Sequence, residues 1–143
     1  MNVRIWLRCL CAALPLCLTA CSSDTVGRTV PVKGKVTVDG VPLKEGSVVY
    51  WPNATKGNQS TLQAAGTIKE DGTYELITRG KPGAPPGSYK VQVTAQMKLD
   101  PNDVYSKTKQ LAPQVYTTKE TTPLVIEVVE SPSPNQYDLD LKK

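Results

Sequence analysis

The chain has 143 residues, a length suited to one domain, with 17 lysines and arginines against 13 aspartates and glutamates and a formal charge of +4. It contains no histidine, so the commonest general base, the usual triad partner and the commonest metal imidazole are all missing. The lysines are scattered singly rather than gathered on one face, so a nucleic-acid partner is not expected.

The N-terminal residues 1–21 read MNVRIWLRCLCAALPLCLTAC: Arg4 and Arg8, an apolar run from Cys9 to Leu18, then small residues. That order predicts a secretory signal peptide over residues 1–20. The apolar run is shorter than the about 20 residues of a stable membrane span. All four cysteines, Cys9, Cys11, Cys17 and Cys21, fall here. A disulfide framework needs cysteines among the folded elements, and a zinc site needs ligands in a folded context. The plainest account of Cys9, Cys11 and Cys17 is that they are small hydrophobes of the leader.

Leu18-Thr19-Ala20-Cys21 resembles the lipobox of bacterial lipoproteins. That resemblance implies cleavage before Cys21, a thioether from its sulfur to diacylglycerol, and acylation of the new amine. Cys21 would then be the lipid-attachment residue, membrane lipid a partner, and the bacterial cell envelope the location. Ser22 rather than aspartate follows the cysteine, which favours the outer membrane. Residues 21–29 would form the lipidated N-terminus and a short tether. Its eight residues 22–29 reach at most about 28 Å when extended.

From Val30 the period is two. Val30, Val32, Val36 and Val38 alternate with Lys33, Lys35 and Thr37, and Asp39-Gly40 marks a hairpin turn. GSVVYWP (46–52) puts Val48 and Tyr50 on one face and Val49 and Trp51 on the other. A polar loop over 53–61 precedes LQAAGTI (62–68) and TYELIT (73–78). SYKVQVT (88–94) turns Tyr89, Val91 and Val93 inward. PLVIEVV and YDLDL close the chain with Leu124, Ile126 and Val128, then Tyr137, Leu139 and Leu141. Seven short strands without a long helical pattern predict an all-β fold, a seven-stranded antiparallel β-sandwich over residues 30–143. Residues 95–122 break the rhythm. A short helix is expected there, with Asp100 as N-cap, Pro101 at the first position, and Val104, Thr108 and Leu111 along one stripe.

Three motifs, VKGKVTVDGVPLKEGSV, DGTYEL and PPGSYKVQV, resemble the carboxypeptidase regulatory-like (transthyretin-like) domains. The matching positions are Gly34, Val36, Asp39, Gly40, Pro42, Leu43 and Gly46; Asp71, Gly72 and Tyr74; and Pro86, Gly87, Tyr89, Val91 and Val93. The resemblance implies a transthyretin-like sandwich without catalytic residues or cofactor. The zinc peptidase domain that such modules accompany has no counterpart here, and the hydrolase version of the fold depends on histidines. The long stretch between Thr94 and Pro123 departs from the generic module.

Several sites are weighed against structural accounts. Tyr50, Trp51, Tyr105 and Tyr116 are aromatic candidates for a glycan or peptide platform, with Trp51, Tyr105 and Tyr116 as candidate ligand-binding residues. A second core layer explains the same residues. Asp100, Asn102 and Asp103 offer oxygen ligands for calcium, but without a defined ligand spacing a helix cap accounts for them equally. Lys33 or Lys35 with Asn135 and Glu75 would suit a Lys–Asn isopeptide bond of the kind in pilin-type sandwiches, but alternation places both lysines opposite the valine face. The expectation is therefore a non-enzymatic, lipid-anchored envelope protein displaying one β-sandwich as a binding or structural module. The alternatives are a carbohydrate- or peptidoglycan-binding lipoprotein, and binding of a partner protein by edge-strand addition.

Overall fold

The computed structural model describes residues 26–143; the expected leader over residues 1–20, Cys21 and residues 22–25 lie outside the described residues. The chain forms an all-β sandwich of twelve strand segments among the described residues. They are β1 (Lys33–Val38), β2 (Val41–Pro42), β3 (Gly46–Pro52), β4 (Ala64–Ile68), β5 (Thr73–Glu75) and β6 (Ile77–Thr78). Then follow β7 (Lys81–Pro82), β8 (Gly87–Thr94), β9 (Gln96–Lys98), β10 (Thr108–Gln110), β11 (Val125–Val128) and β12 (Leu139–Leu141). Each of the seven expected strands is present, and the additional segments are short.

The larger sheet has six strands in the order β11-β8-β3-β4-β6-β7, paired antiparallel throughout. The smaller sheet has β12 and β2 flanking β1, with β5 also on β1. Its β1–β12 pair is parallel, Val36 opposite Leu139, which joins the first and last strands. The expected single strand over residues 73–78 divides between the sheets: Tyr74 pairs with Gly34 of β1, whereas Ile77 pairs with Ala65 of β4. At the crossing, Leu76 donates its N–H to Val32 O (3.0 Å) and is fully buried. The chain thereby passes from the small sheet to the large one through a single buried residue.

Period-two alternation sets the core. Val48 and Tyr50 of β3, and Tyr89, Val91 and Val93 of β8, are fully buried, as are Val32, Val36 and Leu141. The Asp39-Gly40 turn has φ of 49° and 82°, the two positive values of a type I′ hairpin, which glycine and aspartate tolerate. With no phenylalanine, tyrosine supplies the aromatic core, and every buried hydroxyl finds a partner. Tyr74 OH donates to Tyr137 O (2.6 Å), Tyr89 OH to Pro85 O (2.8 Å), and Tyr116 OH accepts from Lys142 N–H (3.1 Å).

The helix expected near Asp100 does not form. β9 and β10 pair instead as an antiparallel arm, Met97 opposite Lys109, continuing beyond the end of β8. The physical reason is local. The carboxylate of Asp100 accepts the N–H of Asn102 (2.9 Å) and that of Asp103 accepts the N–H of Tyr105 (2.9 Å). These side chains close two tight turns, the competing use of the groups that cap helices.

Candidate interaction surfaces

The chain enters and leaves the sandwich so as to give it two distinct ends. Val26 is buried and its carbonyl accepts from Lys81 Nζ (2.7 Å), Arg28 pairs with Glu130 (2.8 Å), and Val30 bridges Ala84. Val26, four residues before the expected domain start, is thus already in contact with the sandwich. Ala84 lies just before β8, whereas the β9–β10 arm follows its last residue. An eight-residue strand spans about 26 Å, so the N-terminal segment and the arm lie at opposite ends.

At the arm end, Val38, Val41, Pro42 and Leu43 of the β1–β2 hairpin meet Met97 and Leu111, the two roots of the arm, around a groove of about 460 Å³. Asp39, Lys44, Glu45 and Lys143 form its charged rim. Beyond the groove the arm carries Leu99, Val104 and Tyr105, exposed to 61%, 79% and 94%. Sequence reasoning selected Tyr105 but missed Val41, Leu99 and Val104. The available signal was the Val104-Tyr105 pair inside an otherwise polar turn.

The three aromatic candidates do not assemble into a platform. Trp51 projects from the outer face of the large sheet, where its indole N–H donates to Gln92 Oε1 (2.8 Å) and Lys119 Nζ sits 4.8 Å from the ring centroid. Tyr50 points the other way, into the core, with its ring 5.8 Å from that of Tyr89. Tyr116 is also a core residue, 7% exposed. A residue of the outer face, a core residue and a residue of the arm tip cannot line one surface, so Tyr116 is corrected from candidate ligand-binding residue to packing residue. The cause is its hydroxyl bond to Lys142 N–H, a contact across 26 positions that no local pattern announces.

The residues weighed for an isopeptide bond do converge: Lys33, Lys35, Glu75 and Asn135 line one groove beside β1 and β5. Lys33 Nζ pairs with Glu75 Oε1 at 3.1 Å, with side chains 65% and 40% exposed. In that solvated setting Lys33 is an ordinary surface ion-pair partner of Glu75. Asp100 and Asp103 hold turns, and among the described residues no group of three or more metal-ligating side chains converges.

The edges of the large sheet differ. The β7 edge has two residues and ends in Pro82, which lacks an N–H. At the other edge, the carbonyl of Leu124 accepts from Val91 N–H (3.0 Å), so Val125 and Glu127 direct their backbone groups outward by alternation. Gln136 Nε2 covers Glu127 O at 3.2 Å. The groups on Val125 are left open to solvent.

The perturbed ionisable groups sit in the core, in the turn at Asp71 and on the exposed side of β12. Burial pushes the phenols of Tyr50, Tyr74 and Tyr89 upward. Hydrogen bonds from the Thr73 hydroxyl and N–H hold Asp71 below the usual carboxylate value, and bonds from Lys142 and Thr37 do the same for Asp140. No protein-family model matches the chain, and no match is found among curated proteins or among solved structures.

Proposed function

We propose that this chain is a non-enzymatic, lipid-anchored protein of the bacterial cell envelope, attached through Cys21 and displaying its β-sandwich as a binding or structural module. The lipobox-like Leu18-Thr19-Ala20-Cys21 supports the anchor. The observation that carries the display reading is the two-ended layout. Val26 is seated on the domain five residues after Cys21, a span of at most about 17 Å, while the most exposed apolar side chains lie at the far end. A sandwich held close to lipid at one end therefore offers its recognition surface at the other. The outer membrane is the proposed location, from Ser22 following the cysteine. The non-catalytic reading is supported by the scattering of the perturbed groups between the core and the solvated surface.

Mass spectrometry of the membrane-extracted protein tests this directly. An N-terminal, lipid-modified Cys21 is expected, with Cys21→Ser released from the membrane fraction. A mature chain that retains Cys9 and Cys11 would sink the proposal.

Edge-strand addition is a second reading, favoured by the open backbone groups of Val125 in a strand without proline. The glycan reading rests on Trp51 alone, whose ring already carries Lys119.

A further inference from the structure

We propose that the β9–β10 arm of one molecule docks into the β1–β2 groove of a second copy, and that the exchange is reciprocal about a twofold axis. Of the six tyrosines, five are buried; Tyr105, at the arm tip, is 94% exposed and is flanked by exposed Leu99 and Val104. Three large apolar side chains brought together in solvent mark an interaction surface. Their complement lies on the same molecule. The groove is floored by Val38, Val41, Pro42 and Leu43, and Val41 is itself 65% exposed. The arm cannot fill it in its own molecule. Its roots, Met97 and Leu111, form one wall of the groove, and the tip residues stand beyond that wall.

Charge complementarity selects the occupant. The arm bears Lys98, Lys107 and Lys109, which have no carboxylate partner among the described residues, and the groove rim offers Glu45, whereas Asp39 of the rim already pairs with Lys143. At the tip, Asp100 and Asp103 each engage one carboxylate oxygen in a turn, and the rim supplies Lys44. The same two carboxylates argue against a lipid bilayer as the occupant, because seating the tip in hydrocarbon would desolvate both without a counter-charge. Arm and groove share one end of the sandwich, so a single twofold axis brings each arm to the other groove and closes the assembly at two copies. The inference does not depend on lipid attachment at Cys21.

The test uses the full chain in native membranes with paired cysteines, Val41→Cys with Tyr105→Cys, under mild oxidation. The expected product has twice the monomer mass and requires both substitutions. A ladder beyond the dimer would overturn reciprocal closure. A dimer from Tyr105→Cys alone would replace arm-in-groove with tip-to-tip contact. Crosslinking to a protein of different mass would overturn the second copy as occupant, and absence of any product would overturn docking altogether. Independently, Tyr105→Asp should weaken self-association of the detergent-solubilised protein at least tenfold in sedimentation, with the far-ultraviolet circular dichroism unchanged. An unchanged sedimentation profile overturns the proposal, since Tyr105 makes no core contact whose loss could unfold the chain.

Discussion

The hydroxyls of Tyr50 and Tyr74 meet 2.9 Å apart in the middle of the sandwich, one from each sheet. Tyr74 has a single proton, and its 2.6 Å bond to Tyr137 O commits that proton to the carbonyl. Tyr50 is therefore the donor to Tyr74. The two bonds run in one direction, from the large sheet through the small sheet to the turn before the last strand. A chain without phenylalanine builds its aromatic centre in this way, since each buried phenol needs a partner.

That direction ranks two substitutions of equal size. Tyr50→Phe removes a donor but leaves Tyr74 bonded to Tyr137 O, so it should cost about 1 kcal/mol. Tyr74→Phe strands both the Tyr50 hydroxyl and the Tyr137 carbonyl in the core and should cost about 2–4 kcal/mol, one unsatisfied group adding to the other. Urea unfolding of the two variants measures both values. Equal costs, or a larger cost for Tyr50→Phe, would show that the proton order is different.

Much of this layout was legible in the sequence, and the exceptions have physical causes. Tyr89, Val91 and Val93 turn inward as alternation requires, because a half-buried strand admits one phase only. The division of residues 73–78 between two sheets was not legible. Tyr74, Leu76 and Thr78 are all buried, so the inward phase continues unbroken across the switch. The β9–β10 arm was misread as a helix because Asp-Pro-Asn-Asp is equally a helix start and a pair of turns. Only pairing across the arm decides between them. Of the site residues, Trp51 lies on the face opposite Tyr50, as alternation requires, while the burial of Tyr116 depends on a distant backbone N–H.

Gly34 is the tightest point of the small sheet that a single methyl would test. A Cβ there would lie 2.2 Å from the Tyr137 carbonyl oxygen and 2.6 Å from its carbon, both main-chain atoms that cannot rotate aside. Gly34→Ala should destabilise by about 3 kcal/mol or more, as overpacking against backbone does. Gly27→Ala, with nothing within 4 Å, is the control and should change stability by less than about 0.5 kcal/mol. Thermal unfolding of the pair gives the answer, and a Gly34→Ala variant as stable as the control would mean that β12 can move away from β1.

High pH should open the core through its phenols. Desolvation raises Tyr50, Tyr74 and Tyr89 above the ordinary phenol value near 10. A raised acid is neutral in the fold while it would already ionise in the unfolded chain. The stabilisation is therefore fully present below about pH 10 and is lost as pH rises from there toward the folded values. Tyrosinate absorbance and circular dichroism should change together above that pH. Ionisation of all the tyrosines with the dichroism intact would contradict the burial of this cluster.

Lys119 and Trp51 offer an optical test of the outer face. The ammonium 4.8 Å from the ring centroid covers an indole fixed by its bond to Gln92, and Trp6, the other tryptophan, lies in the proposed leader. Lys119→Ala should shift Trp51 emission to longer wavelength as water reaches the ring, with a stability loss of at most about 1 kcal/mol. Gln92→Ala should broaden the emission by freeing the indole N–H. Soluble peptidoglycan fragments should leave the emission of the parent protein unchanged, because the cation already occupies the ring face a sugar would need. A saturable blue shift in the parent protein would instead place sugar stacking on Trp51, and the glycan reading would then displace the arm end as the recognition surface.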